Sequence, residues 1–116
     1  MNKFLKMHGV GNDFIVLDGR DKINFSSKIA KEISNRRTGV GCDQIIIILN
    51  SNKGCDVKLL FFNADGSEAQ ACGNGTRCVS KLIMNETSKD SLKIETLSGF
   101  VQAWKNKLDN LIVVDM

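Results

Sequence analysis

Among the side chains that could do chemistry, the thiol of Cys72 has the most informative neighbours. Gly73, Asn74 and Gly75 follow it, and then Val79, Leu82 and Ile83 recur at helical spacing. The pattern places a thiol at or next to a helix N-terminus. Unpaired backbone N–H groups and the positive end of the peptide dipole there favour a thiolate and can hold a carboxylate. Two glycines in a first helical turn oppose the helix, each costing about 1 kcal/mol relative to Ala. They make sense where a ligand must approach the backbone closely. The expected roles are an acid–base thiol at Cys72 and a carboxylate cradle over residues 73–75.

Other candidates lie in three polar, glycine-containing turns at residues 9–13, 39–44 and 63–75, each bordering an apolar run. Loops at one end of a sheet can converge on a single pocket. Its inventory would be Asn12, Asp13, Gln44, Asn63, Asp65, Cys72 and Asn74. These are mainly neutral hydrogen-bonding groups around one thiol, with no Ser/His pair, and they suit a small zwitterionic ligand. The four cysteines, at 42, 55, 72 and 78, lack the short spacing of a structural zinc site, and His8 is the single histidine. A disulfide framework is not expected in a chain of cytoplasmic character, so Cys42, Cys55 and Cys78 read as buried apolar residues. No glycine run matches a dinucleotide fingerprint or a phosphate loop.

The elements that must position these groups are legible in order. Residues 4–8 and 14–18 read as strands around the first turn. Ser26 or Ser27 can cap a helix carrying Ile29, Ala30 and Ile33 to Arg36 and Arg37, with Gly39 as its stop. Residues 45–49 are apolar at every position, so that strand should be buried on both faces, with Asp43 and Gln44 at its mouth, where polar groups are paired or functional. Residues 56–62 form the next strand, which turns sharply at Asp65 and Gly66 towards the Cys72 helix. That helix should run from about Gly73 to Met84, with a polar loop over 85–90. Strands at 92–96, 100–104 and 111–115 follow, with Trp104 packed in the core or at an edge.

The whole is one α/β domain with a mixed, strongly curled sheet. Its 116 residues, 42% hydrophobic and 25% charged, suit a single core. A net charge of +3 with scattered lysines argues against a nucleic-acid partner. No run approaches the ~18 apolar residues of a membrane span, and the N-terminus has no secretory signal core. A cytoplasmic location and no membrane partner are expected.

Three stretches carry a family resemblance: Met7-His-Gly-Val-Gly-Asn-Asp-Phe14, Arg37-Thr-Gly-Val-Gly-Cys-Asp-Gln44 and Phe62-Asn-Ala-Asp-Gly-Ser-Glu-Ala-Gln-Ala-Cys-Gly-Asn-Gly-Thr-Arg-Cys78. They resemble the three N-terminal signatures of diaminopimelate epimerase. The resemblance spans essentially the whole chain and implies a sheet wrapped around a central helix. It also implies interconversion of LL- and meso-2,6-diaminopimelate without pyridoxal phosphate or metal, by two cysteines on opposite sides of the α-carbon. Position by position, Cys72 would be the catalytic cysteine of this half, and Gly73 and Asn74 would offer amides to the substrate carboxylate. Asn63 would contact the far end of the substrate, while Asn12 and Gln44 would line the pocket.

The resemblance further implies that residues 1–116 are the N-terminal domain of a two-domain fold. A C-terminal domain, in cis or trans, would bring the second cysteine, and a homodimer is a further expected partner. Cys78 cannot be that second cysteine, because six residues along a helix span about 9 Å and turn to a different face. The alternatives are a non-catalytic carboxylate-binding or interaction domain and a related cofactor-free amino-acid racemase or isomerase.

Overall fold

The computed structural model describes residues 4–9, 11–20, 27–35 and 41–115. Strand β1 (Phe4–Gly9) pairs antiparallel with β2 (Asn12–Asp18), which runs parallel to β3 (Gln44–Leu49). β3 is antiparallel to β4 (Val57–Asn63), and β4 is parallel to β6 (Ser91–Thr96). β7 (Gly99–Lys105) and β8 (Ile112–Asp115) extend the sheet antiparallel, and the short β5 (Glu68–Ala69) folds back onto the end of β4. The two parallel pairs each need a crossover, and each crossover holds a helix. α1 (Ser27–Ser34) joins β2 to β3, and α2 (Gly73–Thr87) lies between β4 and β6.

Alternation along the strands sorts the apolar residues into two layers. Phe14 and Val16 of β2, Ile46 and Ile48 of β3, and Val57, Leu59 and Phe61 of β4 face α2, where they meet Val79, Ile83 and Met84. Ile15, Leu17, Ile45, Ile47 and Phe62 face the other way, with Cys42 among them and Ile33 of α1 packed against them. Positions 45–48 are therefore all buried, as a continuous apolar run predicts. α2 touches β1 and β2 as well as β6 and β8. Since β1 and β8 are the two ends of the strand order, only a strongly curled sheet lets one helix reach both. The helix is thus held inside the curl, where each of its buried aliphatic side chains contributes about 1.5–3 kcal/mol.

Several element boundaries depart from the sequence reading. α2 runs on through Asn85, Glu86 and Thr87, where a loop was expected. No Gly or Pro stops it; Ser88 takes the left-handed position (φ 58°), and the Thr87 hydroxyl donates back to the Ile83 carbonyl at 2.7 Å. α1 ends at Ser34, where the Asn35 N–H tightens onto the Glu32 carbonyl, short of the expected end at Arg36 and Arg37. Ser26, Arg36, Arg37 and Gly39 lie outside the described residues. β5 was not foreseen, two residues being too short for a periodic signal. Trp104 sits on the outer face of β7 and is 38% exposed, not in the core. Cys42 is buried, whereas Cys55 and Cys78 are only half-buried.

The loop after α2 is tied to the sheet by one carboxylate. Asp56 accepts from Lys89 Nζ at 2.6 Å and from the Lys93 N–H at 2.8 Å, and these bonds hold its pKa below the ordinary 3.8. Between the ordinary and the lowered value the unfolded chain binds more protons than the folded one. The stabilisation is therefore present above the unfolded pKa and is lost as pH falls through the folded pKa. Urea unfolding followed from pH 6 down to about pH 2 should show stability falling in the acid range. Asp56→Asn should flatten part of that fall. An unchanged acid slope in Asp56→Asn would contradict this role.

Candidate active site

Strand alternation brings three polar residues to one end of the sheet, on the helix side. Gln44 has the parity of Ile46 and Ile48, Asn63 that of Leu59 and Phe61, and Asn12 that of Phe14 and Val16. Gln44 stands opposite Phe14 on one side and opposite Asn63 on the other, so these are the last inward positions before the strands end. The starts of β2 and β3 are clasped by two carboxylates. Asp43 accepts from the Asp13 N–H at 3.0 Å, and Asp13 accepts from the Asp43 N–H at 2.8 Å. Asp43, expected to be paired or functional, is thus paired in a backbone clasp that fixes the height of Gln44.

Cys72 is the N-cap of α2, with extended backbone (φ −103°, ψ 147°). Its Sγ accepts from the Gly75 N–H at 3.3 Å, a capping role usually taken by a Ser, Thr, Asp or Asn oxygen. The Cys72 carbonyl accepts both the N–H of Thr76, at 3.0 Å, and its hydroxyl, at 2.7 Å. Facing the sheet, the thiol donates to Gln44 Oε1 at 3.1 Å, and Gln44 Nε2 donates to Asn63 Oδ1 at 3.3 Å. Asn63 Nδ2 in turn donates to Ser67 Oγ at 3.2 Å. The Ser67 hydroxyl and N–H both donate to Asp65 Oδ1, at 2.6 and 2.9 Å, and these bonds hold the Asp65 carboxyl below its usual range.

The two first-turn glycines have different reasons. A Cβ on Gly75 would lie 2.8 Å from Ile46 Cδ1, 3.0 Å from Cys72 Sγ and 3.2 Å from Phe61 Cε2. Core packing therefore explains Gly75, and the expectation that a ligand explains it is corrected. A Cβ on Gly73 would meet only the Arg77 guanidinium, 3.2 Å away. Arg77 also donates through Nη2 to Asn74 Oδ1, so a cation folds over the first turn beside the Gly73 and Asn74 amides. Sequence reasoning gave Arg77 and Ser67 no role. The i, i+3 spacing from Asn74 to Arg77 was the available signal for the first, and the Asp-Gly-Ser turn for the second.

Of the expected residues, Gln44, Asn63 and Cys72 form one hydrogen-bonded chain, with Gly73 and Asn74 alongside. Asn12 shares the same sheet end but is exposed beside the β1–β2 turn, outside that chain. Cys78 points elsewhere. Its thiol lies 3.8 Å from the His8 carbonyl, and burial pushes its pKa up. Among the described residues no group of His, Cys, Asp and Glu could hold a metal ion, and no helix is long and apolar enough to cross a membrane.

The contrast between the glycines is measurable by urea or thermal unfolding. Gly75→Ala should destabilise the fold by about 1 kcal/mol net. Crowding of about 1–3 kcal/mol there outweighs the ~1 kcal/mol that Ala gains in a helix. Gly73→Ala, which displaces only a side-chain tip, should be at least as stable as wild type. The reverse order of stability would contradict this packing.

Comparison with known proteins gives one family. The family model described as diaminopimelate epimerase matches residues 4–116. The chain is 41% identical over 118 residues to the diaminopimelate epimerase of Rhodospirillum centenum, covering 100% of this chain and 40% of that protein. It is 58% identical over 101 residues to that of Zymomonas mobilis, covering 86% of this chain and 36% of that protein. The chain thus spans about two-fifths of the length of the curated relatives it matches. Among solved structures, a hydroxyproline epimerase from Agrobacterium vitis superposes with a TM-score of 0.74 at 14% identity, over 99% of this chain and 41% of that one. A methylitaconate-delta-isomerase gives 0.73 at 18% identity, over 97% and 62%. These two likenesses show the fold. From the family match and the identities of the relatives, the chain belongs to the diaminopimelate epimerase family.

Proposed function

We propose that this chain supplies the Cys72-bearing half of a cofactor-independent epimerase that interconverts LL- and meso-2,6-diaminopimelate, a step towards lysine and peptidoglycan. The observation that carries the reading is the thiol at the N-cap of α2, facing Gln44 and Asn63, with the Gly73 amide and the Arg77 cation beside it. The relatives named above are themselves diaminopimelate epimerases, which supports the substrate.

In this reading the Gly73 and Asn74 amides bind the carboxylate at the reacting carbon, and Asn12, Gln44 and Asn63 line the pocket. As a thiolate, Cys72 takes the α-proton: an S–H bond forms, the C–H bond breaks, and the electron pair delocalises into the carboxylate held by the helix start. A donor on the opposite face then delivers a proton to the planar carbanion and inverts the centre. In the reverse direction Cys72 delivers its proton and the opposite group accepts one. No second acid–base group faces Cys72 among the described residues, and half-buried Cys78 is turned towards His8. A second domain, in cis or trans, completes the site. The four free cysteines fit a reducing, cytoplasmic setting.

The test is deuterium uptake from heavy water at the α-carbon, followed together with conversion of LL- to meso-diaminopimelate. The chain alone should not epimerise. Mixed with the remainder of the Zymomonas mobilis relative, it should gain activity. Cys72→Ala should lower that activity roughly 10²–10⁴-fold, the usual worth of an acid–base group. Cys78→Ala should retain most of it. Epimerisation by the chain alone that survives Cys72→Ala would contradict the proposal.

We further assign a homodimer as a partner state of the chain. Leu97 and Phe100 at one end of β7 and Leu108 and Leu111 beyond its other end are exposed, and they supply apolar surface for such a contact. Sedimentation should show concentration-dependent self-association, and a monomer at every concentration would contradict it.

A further inference from the structure

The hydrogen-bonded chain behind Cys72 has a direction, and its far end sets it. Asp65 carries an ionised carboxylate, which accepts hydrogen bonds and donates none. Ser67 gives it two bonds, and the shorter, at 2.6 Å, is from the hydroxyl. With its only proton committed to Asp65, Ser67 Oγ must accept from its other partner. Asn63 therefore turns its NH2 towards Ser67 and its carbonyl towards Gln44. Gln44 accordingly gives its NH2 to Asn63 and is left with a carbonyl oxygen facing the sulfur, 3.1 Å away. A carbonyl accepts a proton from a thiol but has nothing to donate to a thiolate. Three side chains thus transmit the polarity of one exposed carboxylate to a thiol on another element.

We infer that Asp65 and Ser67 are positioning residues for Cys72: through Asn63 and Gln44 they hold a carbonyl oxygen against its sulfur, so that the thiol aims its proton along one line. The turn that carries them is built for this. The Gly66 N–H donates to the Asn63 carbonyl at 3.0 Å, with Gly66 at φ 91°, and the Asn63 N–H donates to the Ser67 carbonyl at 2.8 Å. These bonds fix residues 63–67 as a rigid unit at the mouth of β4. Without the anchor, both amides are free to exchange their oxygen and nitrogen ends. Gln44 can then present its NH2 to the sulfur, and the thiol loses its fixed acceptor. From α2 the Gly75 N–H donates to the same sulfur at 3.3 Å, and Cys78 is close enough for the two thiols to interact electrostatically.

The inference rests on Cys72 as the acid–base group proposed above, but its test needs neither substrate nor turnover, so the two can fail separately. In the 116-residue chain, Cys72 alkylation by iodoacetamide is followed by mass spectrometry near neutral pH. The Cys72 S–H stretching band is isolated by subtracting the infrared spectrum of Cys72→Ser. Ser67→Ala should speed alkylation roughly threefold to tenfold, the range spanned by one hydrogen bond, and should move the S–H band towards that of an unbonded thiol. Ser67→Thr, which keeps the hydroxyl, should restore the wild-type rate and band. Asp65→Ala, which removes the acceptor at an exposed position, should shift both in the same sense as Ser67→Ala. Wild-type rate and band in Ser67→Ala and Asp65→Ala would overturn the inference, as would an acceleration that Ser67→Thr shares.

Discussion

At Gly75 the backbone of α2 lies against Ile46 and Phe61 with no room for a methyl group, and the rest of the site depends on that closeness. A methyl group at position 75 would push the first turn of the helix away from the sheet. It would lift Cys72 out of reach of Gln44. Close seating also lets one residue serve two ends. The amide of Gly75 caps onto Cys72 Sγ, so the residue that permits the approach also fixes the sulfur. The cost is a glycine within the first turn, about 1 kcal/mol of helix propensity, which the surrounding apolar burial offsets.

The sheet supplies the other half of the geometry. Parallel pairing of β2 with β3 and antiparallel pairing of β3 with β4 align Gln44 with both Phe14 and Asn63. The reciprocal Asp13 and Asp43 clasp then prevents the two strand starts from slipping. Register matters because a slip of one residue would turn Gln44 to the α1 side and leave the thiol facing Ile45. In this fold, polar site residues are the continuation of core columns. Each is one step past the last buried apolar residue on its strand, which is why rigid packing and polar chemistry sit so close together. A shared fold does not settle which substrate is used, since sites are grafted onto folds. The signatures and identities of the relatives carry the substrate reading, and the helix start carries the chemistry.

Much of this was legible in the chain. The run from Ile45 to Leu49 reads as a strand buried on both faces, and the parity of Gln44 with Ile46 follows from it. The Cys72 helix start was visible because a thiol, two glycines and an apolar stripe coincide. Gly75 was misread because close packing and ligand approach leave the same letter in a sequence, and only the positions of Ile46 and Phe61 separate them. The extension of α2 to Thr87 was hidden because its stop is a left-handed Ser88, with no Gly or Pro to announce it. Ser67 escaped notice because Asp65-Gly66 already accounted for the turn, and its link to Cys72 passes through residues far apart in sequence.

The central claim is that the first turn of α2 receives the carboxylate at the carbon Cys72 works on. Amide nuclear magnetic resonance during titration with meso-diaminopimelate measures this most directly, using the chain mixed with the remainder of the Zymomonas mobilis relative. Saturable shifts should concentrate in the backbone N–H signals of Gly73 and Asn74 and in the side-chain NH2 signals of Gln44 and Asn63. Saturation that moves other residues and leaves the first turn of α2 unchanged would contradict the account.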